Sequence, residues 1–242
     1  MDYKDFRFDG SSMRGNAVLP MAEAFPALMR KVYVWMTLAL VITGLTAYGV
    51  ASSPALAQAI IFNKALFFGL IIAELALVIG VTAAINRLSM PMATLMFAIY
   101  SAINGATLSV IFLAYTMTSI ANVFFITAGT FAAMAVLGYT TKKDLSGLGR
   151  ILLMTLIGLI IATLANVFLM HSAGFDLILS YIGVIVFVGL TAYDTQKIKH
   201  MLMDAEGTGE TAQKIALLGA LSLYLDFINL FLYLLRLFGK RD

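Results

Sequence analysis

Seven long apolar runs dominate this sequence, and each is long enough to cross a bilayer as a helix. A membrane-spanning helix needs about 20 mostly apolar residues, because the hydrocarbon core is about 30 Å thick. The approximate spans are 32–50, 65–85, 92–114, 120–139, 151–170, 177–193 and 215–238. Each run is continuously apolar rather than alternating, which favours helices over the strands of a barrel. We therefore predict an all-α integral membrane protein folded as a seven-helix bundle.

The composition excludes a soluble fold of this length. Hydrophobic residues form 61% of the 242 residues and charged residues only 12%, whereas soluble domains are near half apolar and a quarter charged. We predict a cytoplasmic tail at 1–31, a transmembrane domain at 32–238 and a short C-terminal tail at 239–242. The chain has no cysteine, which excludes disulfides and thiolate metal sites. Its net charge of +3 comes with basic residues scattered at span ends, so no nucleic-acid partner is expected.

The distribution of lysine and arginine predicts the orientation. With 1–31 in the cytoplasm, the cytoplasmic segments carry Lys4, Arg7, Arg14, Arg30, Lys31, Arg87, Lys142, Lys143, Arg150, Lys197, Lys199 and Lys214. The intervening outer loops carry only Lys64, in agreement with the positive-inside rule. The end of the chain conflicts with that rule, because Arg236, Lys240 and Arg241 lie outside if the last span crosses fully. We favour a full crossing, because the last run is long enough to span.

Three acidic side chains at membrane depth are the candidate functional residues. Glu74 lies near the middle of the second span, Asp194 at the inner end of the sixth, and Asp226 within the last. A charge inside the bilayer is costly and must face protein or water, so each is a functional hypothesis. Purely structural roles also stay open. Asp194 would then be an interfacial residue, Glu74 a protonated packing residue, and Asn229 a residue that forms an interhelical hydrogen bond.

Asp194 and Asp226 form the predicted site if the last helix begins in the cytoplasm. Two neighbouring carboxylates cannot both ionise cheaply, so they share one proton and titrate as a unit. The protonated pair would lock two helices together, and the ionised pair would repel or hold a cation. Ca²⁺ prefers about six to eight oxygen ligands, so a metal site would need Asn229, carbonyls or water as well.

The two aspartate motifs resemble the signature of the Bax inhibitor-1 family, also called the transmembrane Bax inhibitor motif family. The first motif, Gly-Leu-Thr-Ala-Tyr-Asp-Thr-Gln-Lys-Ile-Lys, covers 189–199, and the second, Leu-Ser-Leu-Tyr-Leu-Asp-Phe-Ile-Asn-Leu-Phe, covers 221–231. The segment 141–146 resembles the family's loop after the fourth span. The resemblance covers about 30–241 and is greatest to the bacterial inner-membrane branch. It implies a multi-pass protein of that membrane.

This resemblance implies a bundle with the last helix at its centre. It also implies that Asp194 and Asp226 form a pH sensor near the cytoplasmic mouth of a Ca²⁺ leak, closed while the carboxylates share a proton. Glu74 matches an acidic position that lines the ion pathway, together with Asn229, and Arg87 is the candidate basic partner of the pair. Neither enzymatic activity nor a cofactor is expected. Calcium, protons and membrane lipid are the expected partners.

Two other functions remain open at this stage. A non-conducting regulator would bind membrane protein partners, such as a membrane protease, with 1–31 as a binding segment. An intramembrane aspartyl protease would also use two aspartates on consecutive spans, one of them in a Tyr-Asp motif. The second aspartate of such a protease follows Gly-x-Gly, whereas Asp226 follows Leu-Tyr-Leu. That difference disfavours the protease.

Overall fold

A computed structural model describes residues 21–205 and 209–241 of the chain, and the predicted tail therefore lies mostly outside the described residues. The helices are α1 (Met21–Ala51), α2 (Pro54–Ile60), α3 (Lys64–Ala84), α4 (Met90–Leu108), α5 (Ile111–Ala114), α6 (Met117–Thr140), α7 (Ser146–Ala165), a π-helical turn (Asn166–Met170), α8 (Ala173–Met203) and α9 (Glu210–Phe238). Among the described residues, seven segments are long and apolar enough to cross a membrane. The predicted all-α membrane bundle is confirmed.

Short polar side chains mark where the spanning helices begin. Asn63 Oδ1 accepts a hydrogen bond from a backbone N–H at the start of α3, at 3.2 Å. Thr116 does the same at α6 at 3.2 Å, and Ser172 at α8 at 3.3 Å. Each of these caps satisfies a backbone donor that the first helical turn leaves without a partner. Pro91 lies in the first turn of α4, where its missing N–H costs nothing.

The helices extend beyond the apolar runs from which they were predicted. Helix α1 begins at Met21 rather than near residue 32, and α8 continues to Met203 rather than ending near residue 193. Hydropathy marks only the part of a helix that lies in hydrocarbon, whereas the backbone hydrogen bonds continue into the polar interface. The extension of α8 places Asp194 inside a continuous helix rather than at its end. Asp194 is therefore held in a defined orientation.

Helix α9 lies at the centre of the bundle. It packs against α1, α4, α6 and α8. Leu223, Tyr224 and Leu230 of α9 have no exposed surface. By contrast, α3 and α7 present apolar side chains such as Ile72 and Met154 outward, where lipid would cover them. The structure thus confirms the central position of the last helix that the family resemblance implied.

The last helix crosses the whole bundle. Its 29 residues span about 43 Å, more than the hydrocarbon thickness. In its last turn Arg236 pairs with Asp176 at 3.4 Å, and just beyond its end the N–H of Lys240 donates to Ser119 Oγ at 2.9 Å. Ser119 and Asp176 lie in the first turns of α6 and α8, at the face opposite the start of α1. The C-terminal end of α9 and the N-terminal end of α1 therefore lie on opposite faces.

Reporter fusions test the orientation of these faces. A reporter at the N-terminus and another inserted in the loop 141–145 are both expected in the cytoplasm, because of the lysine and arginine distribution. A reporter at the C-terminus is expected on the other side, because α9 crosses fully. Protease protection of the three fusions in membrane vesicles provides the measurement. N- and C-terminal reporters on the same side would contradict the crossing.

Candidate functional site

The two aspartates of the sequence motifs lie on neighbouring helices, α8 and α9. Asp194 is partly buried, and Asp226 is only 5% exposed. The carboxylates are close enough for the charge of one to act electrostatically on the other. The structure therefore brings together the two residues that the sequence analysis paired. The pairing depends on the long packing surface between α8 and α9.

Asp226 is a buried polar group whose hydrogen bonding is incomplete. Its Oδ2 has no hydrogen-bond partner among the described residues, and neither has Oγ1 of Thr195, the residue after Asp194. A buried polar atom without a partner costs on the order of 1–3 kcal/mol. Native proteins keep few such groups, and those that persist call for an explanation. The buried Asp226 carboxyl group therefore lowers the stability of the fold.

A small cavity of about 250 Å³ lies beside Asp194. Val78 and Thr82 of α3 border it on one side and Ser222 of α9 on another. Lys197 also borders the cavity, and its side chain is exposed, so the cavity reaches the surface at that end of the bundle. Asp194 thus borders a cavity that is open toward the exposed Lys197.

Two further residues of the first motif contribute to this site, and the sequence analysis did not assign them a role there. Lys197 lies one helical turn after Asp194, and its charge acts on that carboxylate. Gln196 joins α8 to the loop before α7, because it accepts from the Leu145 N–H and donates to the Lys143 carbonyl, both at 2.8 Å. The i,i+3 spacing of Asp194 and Lys197 was the signal that could have identified the lysine.

Arg87, the candidate basic partner of the pair, lies in the turn after α3. Its side chain is exposed, and within the described ranges it forms no ion pair with Asp194 or Asp226. In this arrangement Lys197 is the basic residue that borders the pair. A residue on α8 itself reaches Asp194 without any change in helix packing, whereas Arg87 does not border the cavity.

Glu74 belongs to a separate polar chain in the interior of the bundle. Its carboxylate accepts from Asn104 Nδ2 at 3.0 Å and from Thr107 Oγ1 at 2.6 Å. The hydroxyl of Tyr224 donates to Asn104 Oδ1 at 2.8 Å and lies 2.7 Å from Thr43 Oγ1. The chain therefore joins α3, α4, α9 and α1 at membrane depth. Hydrogen bonding of this kind is what a buried carboxylate requires.

The polar chain and the cavity lie on the same face of α3. Glu74, Val78 and Thr82 are spaced four residues apart, so their side chains point in one direction. Each step is about 6 Å along the axis. Because Val78 and Thr82 border the cavity, Glu74 lies one turn deeper than the cavity wall.

The site offers few oxygen ligands for a metal ion. Asn229 shares a face of α9 with Asp226 by its three-residue spacing, but its amide nitrogen donates to the Leu225 carbonyl of the same helix at 2.8 Å. No cluster of three or more histidine, aspartate or glutamate side chains occurs in the described part of the chain. The aspartate pair alone supplies fewer oxygens than Ca²⁺ prefers, so water or carbonyls would have to complete its coordination.

Comparison with known proteins extends the resemblance to nearly the whole chain. A family model described as "Inhibitor of apoptosis-promoting Bax1" matches residues 26–242, which include both aspartates. The inner membrane protein YbhL of Escherichia coli is 49% identical over 230 residues, covering 94% of this chain and 97% of that protein. An uncharacterized protein of Borreliella burgdorferi is 43% identical over 213 residues, covering 88% and 91%. An uncharacterized membrane protein of Streptococcus pyogenes is 42% identical over 177 residues, covering 73% and 76%.

Proposed function

We propose that this chain, which belongs to the Bax inhibitor-1 family, is a pH-sensitive calcium leak channel of the membrane, gated by Asp194 and Asp226. One observation carries the proposal. The buried Asp226 carboxylate, with Oδ2 lacking a hydrogen-bond partner in the described residues, lies next to Asp194, which borders a cavity that reaches the surface. A carboxylate pair between two helices is an arrangement whose energy changes when a proton leaves.

In the closed state, the pair holds one proton. The carboxyl group of one aspartate donates to the carboxylate of the other and ties α8 to α9. When the proton leaves, two like charges face each other in a poorly screened environment. Their repulsion favours a separation of α8 from α9 and a wider cavity, and the two charges also attract a cation. A gate of this kind needs two discrete packings of the helices, as in other shear transitions.

The ion pathway would continue from the cavity toward Glu74. The shared face of α3 supports this path, because Val78 borders the cavity and Glu74 lies one turn deeper. A carboxylate at that depth attracts a divalent cation after the cation has passed the aspartate pair. Asn104 and Thr107 hold the Glu74 side chain in place, and their oxygens could replace part of the ion's hydration shell.

Calcium flux in proteoliposomes of the purified chain tests the proposed function. Vesicles containing a calcium-sensitive dye are expected to fill faster as the external pH rises through the range where the pair loses its proton. Vesicles without protein provide the baseline. A purified protein that is folded but shows no flux at any pH would overturn the leak. That result would favour the non-conducting regulator that binds membrane protein partners.

Glu74→Gln is expected to lower calcium flux several-fold at every pH while leaving the pH midpoint unchanged. The amide removes the charge that attracts the cation, but it still accepts from Asn104 and can donate to the Thr107 hydroxyl, so the polar chain survives. Glu210→Gln at the exposed start of α9 is the matched control, with unchanged flux expected. Unchanged flux with a raised melting temperature would identify Glu74 as a packing residue, since burying an acid costs free energy.

A further inference from the structure

The side of the bundle between α1 and α6 holds an apolar groove of about 620 Å³. On α6, Ala128, Ala132 and Val136 line the groove at four-residue intervals, so they share one face of the helix. Phe227 of the central helix also lines the groove, between α1 and α6. The groove therefore extends from the surface of the bundle to the central helix.

The groove is a consequence of how α6 is held. The ring of Phe227 contacts Phe124 and Phe131 of α6, with centroids 5.4 and 5.5 Å apart. These rings attach α6 to α9, while α1 packs chiefly against α4 and α9. The alanines of α6 that face α1 are too small to fill the remaining space. From Phe124 to Tyr139 the groove follows α6 for about 22 Å, which exceeds the depth of one leaflet.

The rim of the groove is polar and positively charged at the end where α1 begins. Arg30 lines the groove there, and its side chain is exposed. Tyr139 lies at the same end, stacked on Phe25 with ring centroids 6.1 Å apart. Lys199 lies over the Tyr139 ring at 5.2 Å. Among the residues that the structure describes, the groove thus combines a long apolar channel with cations at one end.

We propose that this groove binds one acyl chain of an anionic phospholipid, with the headgroup phosphate held by Arg30. The occupant must be long, apolar and accessible from the bilayer, and it must carry a negative charge at the level of the helix ends. A membrane phospholipid meets all these conditions. The volume is that of a site for one small ligand and is too small for a partner helix. The binding does not depend on ion conduction, so the proposal stands apart from the proposed function.

Native mass spectrometry of the purified full chain measures this binding directly. The delipidated protein in detergent is titrated with phosphatidylglycerol or with phosphatidylcholine of identical acyl chains. One phosphatidylglycerol per chain is expected to be retained at a lower lipid concentration than phosphatidylcholine. Equal retention of the two lipids would overturn the role of the positive rim.

Variants of two neighbouring residues on α6 test the location of the site. Ala132→Phe places a ring in the groove and is expected to weaken phosphatidylglycerol binding at least tenfold. Ala133→Phe, at the next position, is also exposed but does not line the groove, so it is expected to bind as the original chain does. Val136→Trp fills the same groove independently. Circular dichroism shows whether each variant keeps its helices. Unchanged binding by folded Ala132→Phe or Val136→Trp would overturn the proposal.

The headgroup contact has its own matched pair of variants. Arg30→Gln is expected to weaken phosphatidylglycerol binding about fivefold, the effect of one basic residue near a membrane surface. It is expected to weaken phosphatidylcholine binding less, because the choline ammonium of that lipid offsets the charge of its phosphate. Lys31→Gln removes the same charge from the next position, which does not line the groove, and should leave both lipids unaffected. Equal losses in the two variants would indicate general surface attraction and contradict a phosphate site at Arg30.

Discussion

Asp194→Asn and Asp226→Asn are each expected to abolish the pH dependence of calcium flux. One carboxylate beside an amide cannot share a proton across a pair, so the cooperative titration is lost. An amide has nearly the same volume as the carboxylate it replaces. Asn at 226 also removes a buried acid whose hydrogen bonding is incomplete, so the fold should survive. Flux over a series of pH values spanning neutrality, measured in proteoliposomes, gives the profile of each variant.

Asp176→Asn is the control for this experiment. Asp176 lies on the same helix as Asp194 but at the opposite end, where it pairs with Arg236 in a half-exposed position. The same chemical change there should keep the pH profile of the original chain. The double variant should behave as either single variant does, because removing one partner already eliminates the coupling. An unaltered profile in both single variants would mean that the pair is not the sensor.

Gly138→Ala is expected to destabilise the protein by about 2–3 kcal/mol. Gly138 of α6 packs directly on the backbone carbonyl of Ala192 in α8, and a Cβ there would overlap that carbonyl. A backbone atom cannot rotate away as a side chain can, so α6 and α8 must move apart. Denaturant unfolding in detergent, followed by circular dichroism, measures the loss. Because Ala192 lies two residues before Asp194, the pH response of flux should change as well.

Gly129→Ala on the same helix separates this effect from helix propensity. A Cβ at position 129 meets no other atom within contact distance. Alanine there is expected to leave the protein as stable or to stabilise it by up to about 1 kcal/mol, since alanine favours helix over glycine. Equal stability of the two variants would contradict the close approach of α6 and α8.

The local properties of the sequence determined the class of the protein and the residues worth testing. Length and continuous hydropathy are sufficient for seven spanning helices, because a helix in hydrocarbon needs only its own backbone for hydrogen bonding. Asp226 was identifiable for a related reason. Apolar residues follow it for two turns, so its carboxylate had to face protein or water. The aspartate motifs then matched a family whose membership the comparisons established.

Contacts between residues that are far apart in the sequence could not be predicted from these local properties. Glu74 accepts from Asn104, which in turn accepts from Tyr224, although 120 positions separate the last two. Their contact depends on how α3, α4 and α9 pack, which no local pattern encodes. For the same reason the position of Lys197 beside Asp194 and the cavity became visible only in the structure, whereas the family resemblance had suggested Arg87 as the basic partner of the pair.

The side of the bundle on which α9 ends shows most clearly what the sequence determined and what only the tertiary structure decided. Hydropathy established that the last run could span, but the positive-inside rule favoured keeping Arg236, Lys240 and Arg241 with the other basic residues. The length of the last run favoured a full crossing, but no local pattern showed which of the two effects prevails. The tertiary structure decided it, because Asp176 and Ser119 at the far face provide partners for the end of α9. The ion pair of Arg236 and the backbone hydrogen bond of Lys240 hold the end of α9 on the face opposite the start of α1.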